Sequence, residues 1–272
     1  GLMNKNEPIN FEELAEAFQG PEVLAIALLG SHATGQAGPF SDIDLVRFVE
    51  SDADEPDGMG SHLINGRLVV VSDVSKSQLE KSFTQPEVAV KTIAGLRTGR
   101  ALFDPTSLFQ KVQARAQAFT WDTAMQKAAN LWSSRAMVGW IEEVHKGLEG
   151  LRRNDIGRML NARHGFSWGL SQVIQTQRGV LVSGDNAFFD EIAGAIGSES
   201  RWVQLRRTAF GIEDADGLAP TLAQQVEAVL RLYTETANLL DGVMEELDRV
   251  LGRETVGLIE QEFGRNRKKG IL

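Results

Sequence analysis

The chain has 272 residues, 42% hydrophobic and 24% charged, with 27 glycines and only 7 prolines, a globular composition that excludes disorder and collagen-like repeats. It has no cysteine, which rules out disulfide frameworks, thiolate metal sites and thiol nucleophiles and makes a reducing cytoplasm the expected setting. A formal net charge of −9 repels polyanions, makes nucleic acid an unfavoured partner and suits a cationic small molecule.

The longest apolar run, Val23 to Leu29, is far shorter than the roughly 20 residues of a transmembrane helix, so no membrane partner is expected. Six prolines lie in the first 105 residues and all five tryptophans lie after 120, so the composition changes near 105 to 120. Proline is excluded from helix interiors, which predicts short alternating elements first and long helices afterwards. The expected fold class is α+β: a small mixed β-sheet domain over 1–115 and an all-α helical bundle over 116–272.

In chain order, Asn10 and Glu13 make a capping box for a helix over Phe11 to Phe18. Val23 to Leu29 reads as a buried strand ending in Gly30-Ser31, and a Gly-rich loop then leads to the alternating strand Asp42 to Phe48. The acidic loop Glu50 to Asp57 precedes a third strand, Arg67 to Val71, and a helix through Gln78 to Phe83. Farther on, Met137, Ile141, Val144, Leu148 and Leu151 share one helical stripe, and further helices are expected over 155–177, 186–196, 200–210 and 221–251. Thr221 and Gln224 form a second capping box.

The chemistry concentrates between Leu28 and Leu45. Residues i and i+2 of a strand share a face, so Asp42 and Asp44 project together while Ile43 and Leu45 enter the core. Two adjacent carboxylates repel unless a cation lies between them, and Mg²⁺ takes oxygen ligands while keeping positions for water and phosphate. Gly30-Ser31 offers backbone without a Cβ and a hydroxyl, as close approach to a triphosphate requires. Taken singly, Asp-x-Asp is also a turn or cap feature and Gly-Ser an ordinary turn; their order, with Gly35 and Ser41 between, points to a phosphate and metal site.

The order apolar strand, Gly30-Ser31, ten residues, Asp42-Ile43-Asp44-Leu45 resembles the signature of the nucleotidyltransferase superfamily to which DNA polymerase beta belongs. The layout, with a helical bundle after about residue 115, resembles the antibiotic nucleotidyltransferases that act on kanamycin, lincosamides and streptomycin. The resemblance implies transfer of a nucleoside monophosphate from a nucleoside triphosphate to a hydroxyl of a small acceptor, such as an aminoglycoside-like antibiotic, with release of pyrophosphate. It implies Mg²⁺ on Asp42 and Asp44, nucleotide contacts from Gly30, Ser31 and Ser41, and a homodimer as one form of assembly.

The resemblance also implies a third carboxylate in the middle of the next strand, where this chain has Val70. Asp73 is the candidate substitute ligand, with the cap of the following helix as its other reading. Glu142 and Glu143 are candidates for a base from the helical domain, against ordinary exposed helix charges. Val70 also opens an alternative, a catalytically impaired module that binds nucleotide or a partner, as in toxin–antitoxin pairs. Arg158 and His164 match the Arg-x(4–6)-His spacing of HEPN ribonucleases, which arises readily by chance on a helix. Arg152, Arg153, Arg201, Arg206 and Arg207 are candidates to line a triphosphate cleft, with solvated helix faces as the plainer reading.

Overall fold

The structure is a computed structural model that describes residues 7–50, 60–268 and 270; most of the acidic loop, residues 51–57, lies outside the described residues. The first elements are α1 (Phe11–Glu16), β1 (Val23–Leu29), α2 (Ser31–Thr34), β2 (Ile43–Val49), β3 (Gly60–Ile64), β4 (Arg67–Ser75), α3 (Lys76–Thr84), α4 (Pro86–Thr98), β5 (Arg100–Phe103) and α5 (Leu108–Ala118). Helices follow: α6 (Thr123–Gly139), α7 (Ile141–Arg153), α8 (Ile156–Arg178), a short 3₁₀ turn Asp185–Ala187, α9 (Phe188–Ile196), α10 (Arg201–Ala209), α11 (Leu222–Leu240) and α12 (Glu246–Lys268). The α+β class is therefore the one the chain adopts, a mixed sheet followed by a mostly helical region.

Two compact units make up the chain, the first comprising residues 1–121 together with 181–188 and the second comprising 122–180 and 189–272. In the N-terminal unit the five strands lie in the order β3-β4-β2-β1-β5, with β2 and β4 parallel and every other pair antiparallel. Strands β3 and β5 add to the three expected from the sequence. The β3–β4 hairpin turns at Asn65-Gly66, both at positive φ (55° and 74°), the twist a two-residue hairpin needs.

Strand alternation divides this unit's core between the two sheet faces. On one face Ile26, Leu28, Ile43, Leu45, Val69 and Val71 pack with Ala15 and Phe18 of the α1 region. On the other Ala25, Ala27, Val46 and Phe48 pack with Ala89 and Ile93 of α4 and Phe109 and Val112 of α5. Leu181 joins this second core from far along the chain, and the Val182 N–H donates to the Val90 carbonyl over 3.0 Å.

In the helical unit the apolar stripe from Met137 to Leu151 crosses a junction instead of running along one helix, because α6 stops at Gly139 and α7 starts at Ile141. Trp140 makes the bend, its ring lying over Gly165 and Gly169 of α8 and 5.9 Å from Phe166. The helix expected over 221–251 also breaks, after Leu240, and Arg249 caps the break by donating to the carbonyls of Asp241 and Met244 over 2.7 and 2.8 Å. The Thr221/Gln224 capping box forms, with both reciprocal hydrogen bonds present.

Candidate active site

Strand β1 ends at Leu29, which stands opposite Asp44 in the β1–β2 ladder. The next residue, Gly30, has φ 73° and ψ −156°, a conformation that L side chains rarely adopt. A Cβ on Gly30 would run into Oδ2 of Asp44, so the missing side chain is what lets the carboxylate lie against the backbone there. Asp44 shares its sheet face with Val46 and Phe48, and Asp42, one residue before β2, reaches the same place by the period of two.

The two carboxylates share a hydrogen bond, and the Asp44 pKa is pushed up to about 7. Burial is the main cause, followed by the hydrogen bond and repulsion from Asp42 and then by repulsion from Asp185. Among the described residues no lysine or arginine forms an ion pair with either carboxylate. A half-buried carboxylate pair with no lysine or arginine paired to it among the described residues is a donor set suited to a hard divalent ion. No group of three or more His, Asp or Glu among the described residues could hold a metal, so the remaining positions on such an ion would go to water and phosphate oxygens.

Gly30 and Ser31 are thus brought to the carboxylate pair. Ser31 starts α2, and its carbonyl accepts from the Thr34 hydroxyl and the Gln36 N–H, which folds the loop back over 3.3 and 2.9 Å. The Ser41 hydroxyl is occupied within that loop, accepting from the Gly38 N–H at 2.8 Å, so its visible role is to shape the approach to Asp42. His32 sits 3.4 Å from the Ser41 carbonyl with its ring edge-on to Phe11.

Asp73 stands elsewhere. Strand β4 does continue to Ser75, but alternation puts Asp73 on the face of Val69 and Val71, opposite to that of Asp44. There its carboxylate takes a two-pronged ion pair from Arg47, at 2.7 and 2.9 Å, while Arg47 also donates to the Phe18 carbonyl at 3.1 Å. Both side chains are only 5% exposed. The cap of α3 is Ser75, with Gln78 completing a capping box, so Asp73 is not the cap either. In register with Asp44 stands Val70.

Glu142 and Glu143 lie in the first turn of α7 in the helical unit, both paired with Lys146, at 3.5 and 3.0 Å. Arg158 is paired with Asp155, Arg152 with Glu262 at 2.6 Å and Arg201 with Glu235 at 3.6 Å. Arg206 is a core residue, 1% exposed, under the rings of Phe189 and Phe210, donating to Ser171 and to the Phe189 carbonyl. Asp185, whose charge adds to the shift of Asp44, is a residue the sequence does not single out. Its turn, Ser183-Gly184-Asp185-Asn186, falls inside the stretch assigned to the helical bundle, yet it folds with the sheet.

Residues 11–111 match the model of the nucleotidyltransferase domain family. Over that stretch the chain is similar to nucleotidyltransferase domains. The match spans the sheet, the Gly30-Ser31 turn and the Asp42–Asp44 pair. A crystal structure of a nucleotidyltransferase-like protein from Exiguobacterium sibiricum 255-15 is similar to the chain at 14% identity, with 94% of this chain and 80% of that chain covered and a TM-score of 0.45. No curated protein matches the chain. No helix among the described residues is long and apolar enough to cross a membrane.

Proposed function

We propose that the nucleotidyltransferase domain transfers a nucleoside monophosphate from a nucleoside triphosphate to a hydroxyl of a small acceptor and releases pyrophosphate. The observation that carries this reading is the Asp42–Asp44 pair folded against the side-chain-free Gly30, within a segment that matches the family. Asp42 and Asp44 would hold Mg²⁺, which supplies charge neutralisation for the phosphates. The Gly30 backbone would leave room for the triphosphate tail, and the Ser31 hydroxyl would donate to it. Attack by the acceptor oxygen forms the new bond to the α-phosphorus, the electron pair of the broken bond leaves on pyrophosphate, and the hydroxyl proton passes to base. Positioning and electrostatics do most of the work.

The net charge of −9 favours a cationic, hydroxylated acceptor of the aminoglycoside kind. Under this reading Glu142 or Glu143 is a second source of base, and the protein works in the cytoplasm, a homodimer being one form of assembly. Titration calorimetry of Mg-ATP and Mg-GTP into the wild type and an Asp42→Asn, Asp44→Asn variant tests it. Metal-dependent binding lost in the variant is the expected result; equal binding in both proteins would overturn the assignment.

Val70 in register with Asp44 favours a second reading, a domain that binds nucleotide or a partner without turnover. Pyrophosphate release with any acceptor, abolished by Asp44→Asn, would refute it.

A further inference from the structure

The helical unit carries an open cleft of about 640 Å³ formed by α10, the turn at residues 211–220 and the first half of α11, a volume in the range of small-molecule sites. Its walls are held by the fold itself. The Ile212 N–H donates to the Arg207 carbonyl over 3.0 Å, the Asp214 N–H to the Leu218 carbonyl over 3.0 Å, and the Gln225 side chain to the Pro220 carbonyl over 3.1 Å. Most polar side chains of the lining are already engaged. Gln204 donates to the Ser198 carbonyl, the Thr208 hydroxyl to the Gln204 carbonyl, and Gln224 accepts from the Thr221 N–H. Asp214 accepts from the N–H groups of Asp216 and Leu218, and Arg231 pairs with Glu227 at 2.9 Å. Two charged groups are left over. The side chains of Arg207, half-buried, and Glu213, exposed, make no hydrogen bond or ion pair among the described residues. Beside them Leu205, Ile212 and Leu218 give the cleft an apolar wall, and Ile212 and Leu218 are exposed.

We propose that this cleft binds a small zwitterion with an apolar body, an amino-acid-like molecule whose carboxylate pairs with Arg207 and whose ammonium pairs with Glu213. A guanidinium fork matches a carboxylate with two parallel hydrogen bonds, and an ammonium has three donors for a carboxylate. A ligand with only one of the two charges would leave the other protein charge unengaged and be repelled by it. With Glu213, Asp214 and Glu227 against Arg207 and Arg231, the lining carries more acid than base, which opposes a polyphosphate. The apolar wall of Leu205, Ile212 and Leu218 takes the body of the ligand out of water. All of these residues belong to the helical unit, and the inference does not rest on the reading of Asp42 and Asp44.

Saturation-transfer NMR on the full chain, with L-leucine and L-phenylalanine as probes, tests this. The comparison compounds are 4-methylpentanoate and 3-phenylpropionate, which lack the ammonium, and 3-methylbutylamine and phenethylamine, which lack the carboxylate. At least one of the two amino acids is expected to bind with a Kd of about 10 mM or below, and its two one-charge analogues on the order of tenfold more weakly. Arg207→Gln and Glu213→Gln are each expected to weaken the amino acid on the order of tenfold. Arg207→Gln should not weaken the amine further, and Glu213→Gln should not weaken the acid further, which separates lost pairing from lost folding. No binding of either amino acid up to about 10 mM would overturn the proposal. An analogue that binds within about twofold of its parent amino acid, or a variant that keeps the amino acid within about twofold of the wild type, would overturn it as well.

Discussion

Asp44 ties the site to pH. Its ordinary pKa of 3.8 is raised to about 7, so in the cation-free protein it holds a proton between those values. The sign follows from linkage: this group stabilises the cation-free fold most below about pH 4, and that contribution is lost as pH rises towards 7. A divalent cation must displace the proton, so binding is expected to release close to one proton at pH 6 and almost none at pH 8.5. Calorimetry in buffers of different ionisation enthalpy measures this directly, and equal release at both pH values would contradict it. Asp73 makes the opposite kind of prediction. Removing one member of its buried pair takes the Asp73 carboxylate away from a buried guanidinium, so Asp73→Ala is expected to cost about 3–5 kcal/mol in urea denaturation. The charge-neutral replacement of both partners by apolar residues should recover most of that loss. Mn²⁺ affinity of whatever fraction remains folded should stay as in the wild type, because Asp73 faces away from Asp44.

The elements show where the sequence speaks locally and where it does not. Thr221 and Gln224, three residues apart, are legible because the capping box closes within one turn. The strand of Asp42 and Asp44 is legible because period-two alternation needs no distant partner. Asp73 was ambiguous because its face follows from alternation only once β4 is known to run to Ser75, and its partner Arg47 lies 26 residues away. The Met137–Leu151 stripe reads as one helix because the apolar period survives the bend at Trp140. That bend depends on Gly165 and Gly169, whose missing side chains open a slot on α8 for the indole. A Cβ on Gly169 would collide with the six-membered ring of Trp140, so Gly169→Ala is expected to destabilise the helical unit by about 1–3 kcal/mol. Thermal unfolding of the variant checks this, and a Trp140→Leu background should relieve most of the penalty.

At the scale of the whole molecule, the division into units is not a division into sequence blocks. A boundary near 115 follows from proline and tryptophan placement, but no local pattern marks 181–188 as part of the sheet unit, since its evidence is long-range packing by Leu181 and a hydrogen bond to Val90. A chain ended at Trp121 would lack both. Such a fragment is expected to bind a hydrophobic dye and to unfold over a broader, lower transition than the same unit within the full chain. A fragment that melts sharply at the wild-type temperature would show that the 181–188 segment contributes nothing to that unit. The segment also sets a timetable for synthesis. Domains usually fold in order as they leave the ribosome, at about 5–20 residues per second. Here the sheet unit emerges first yet stays incomplete until residues 122–180 have followed it out. For several seconds the nascent protein would therefore carry its Asp42–Asp44 strand in a unit still lacking the Leu181 packing and the Val182 hydrogen bond, which arrive only when translation has passed most of the helical half.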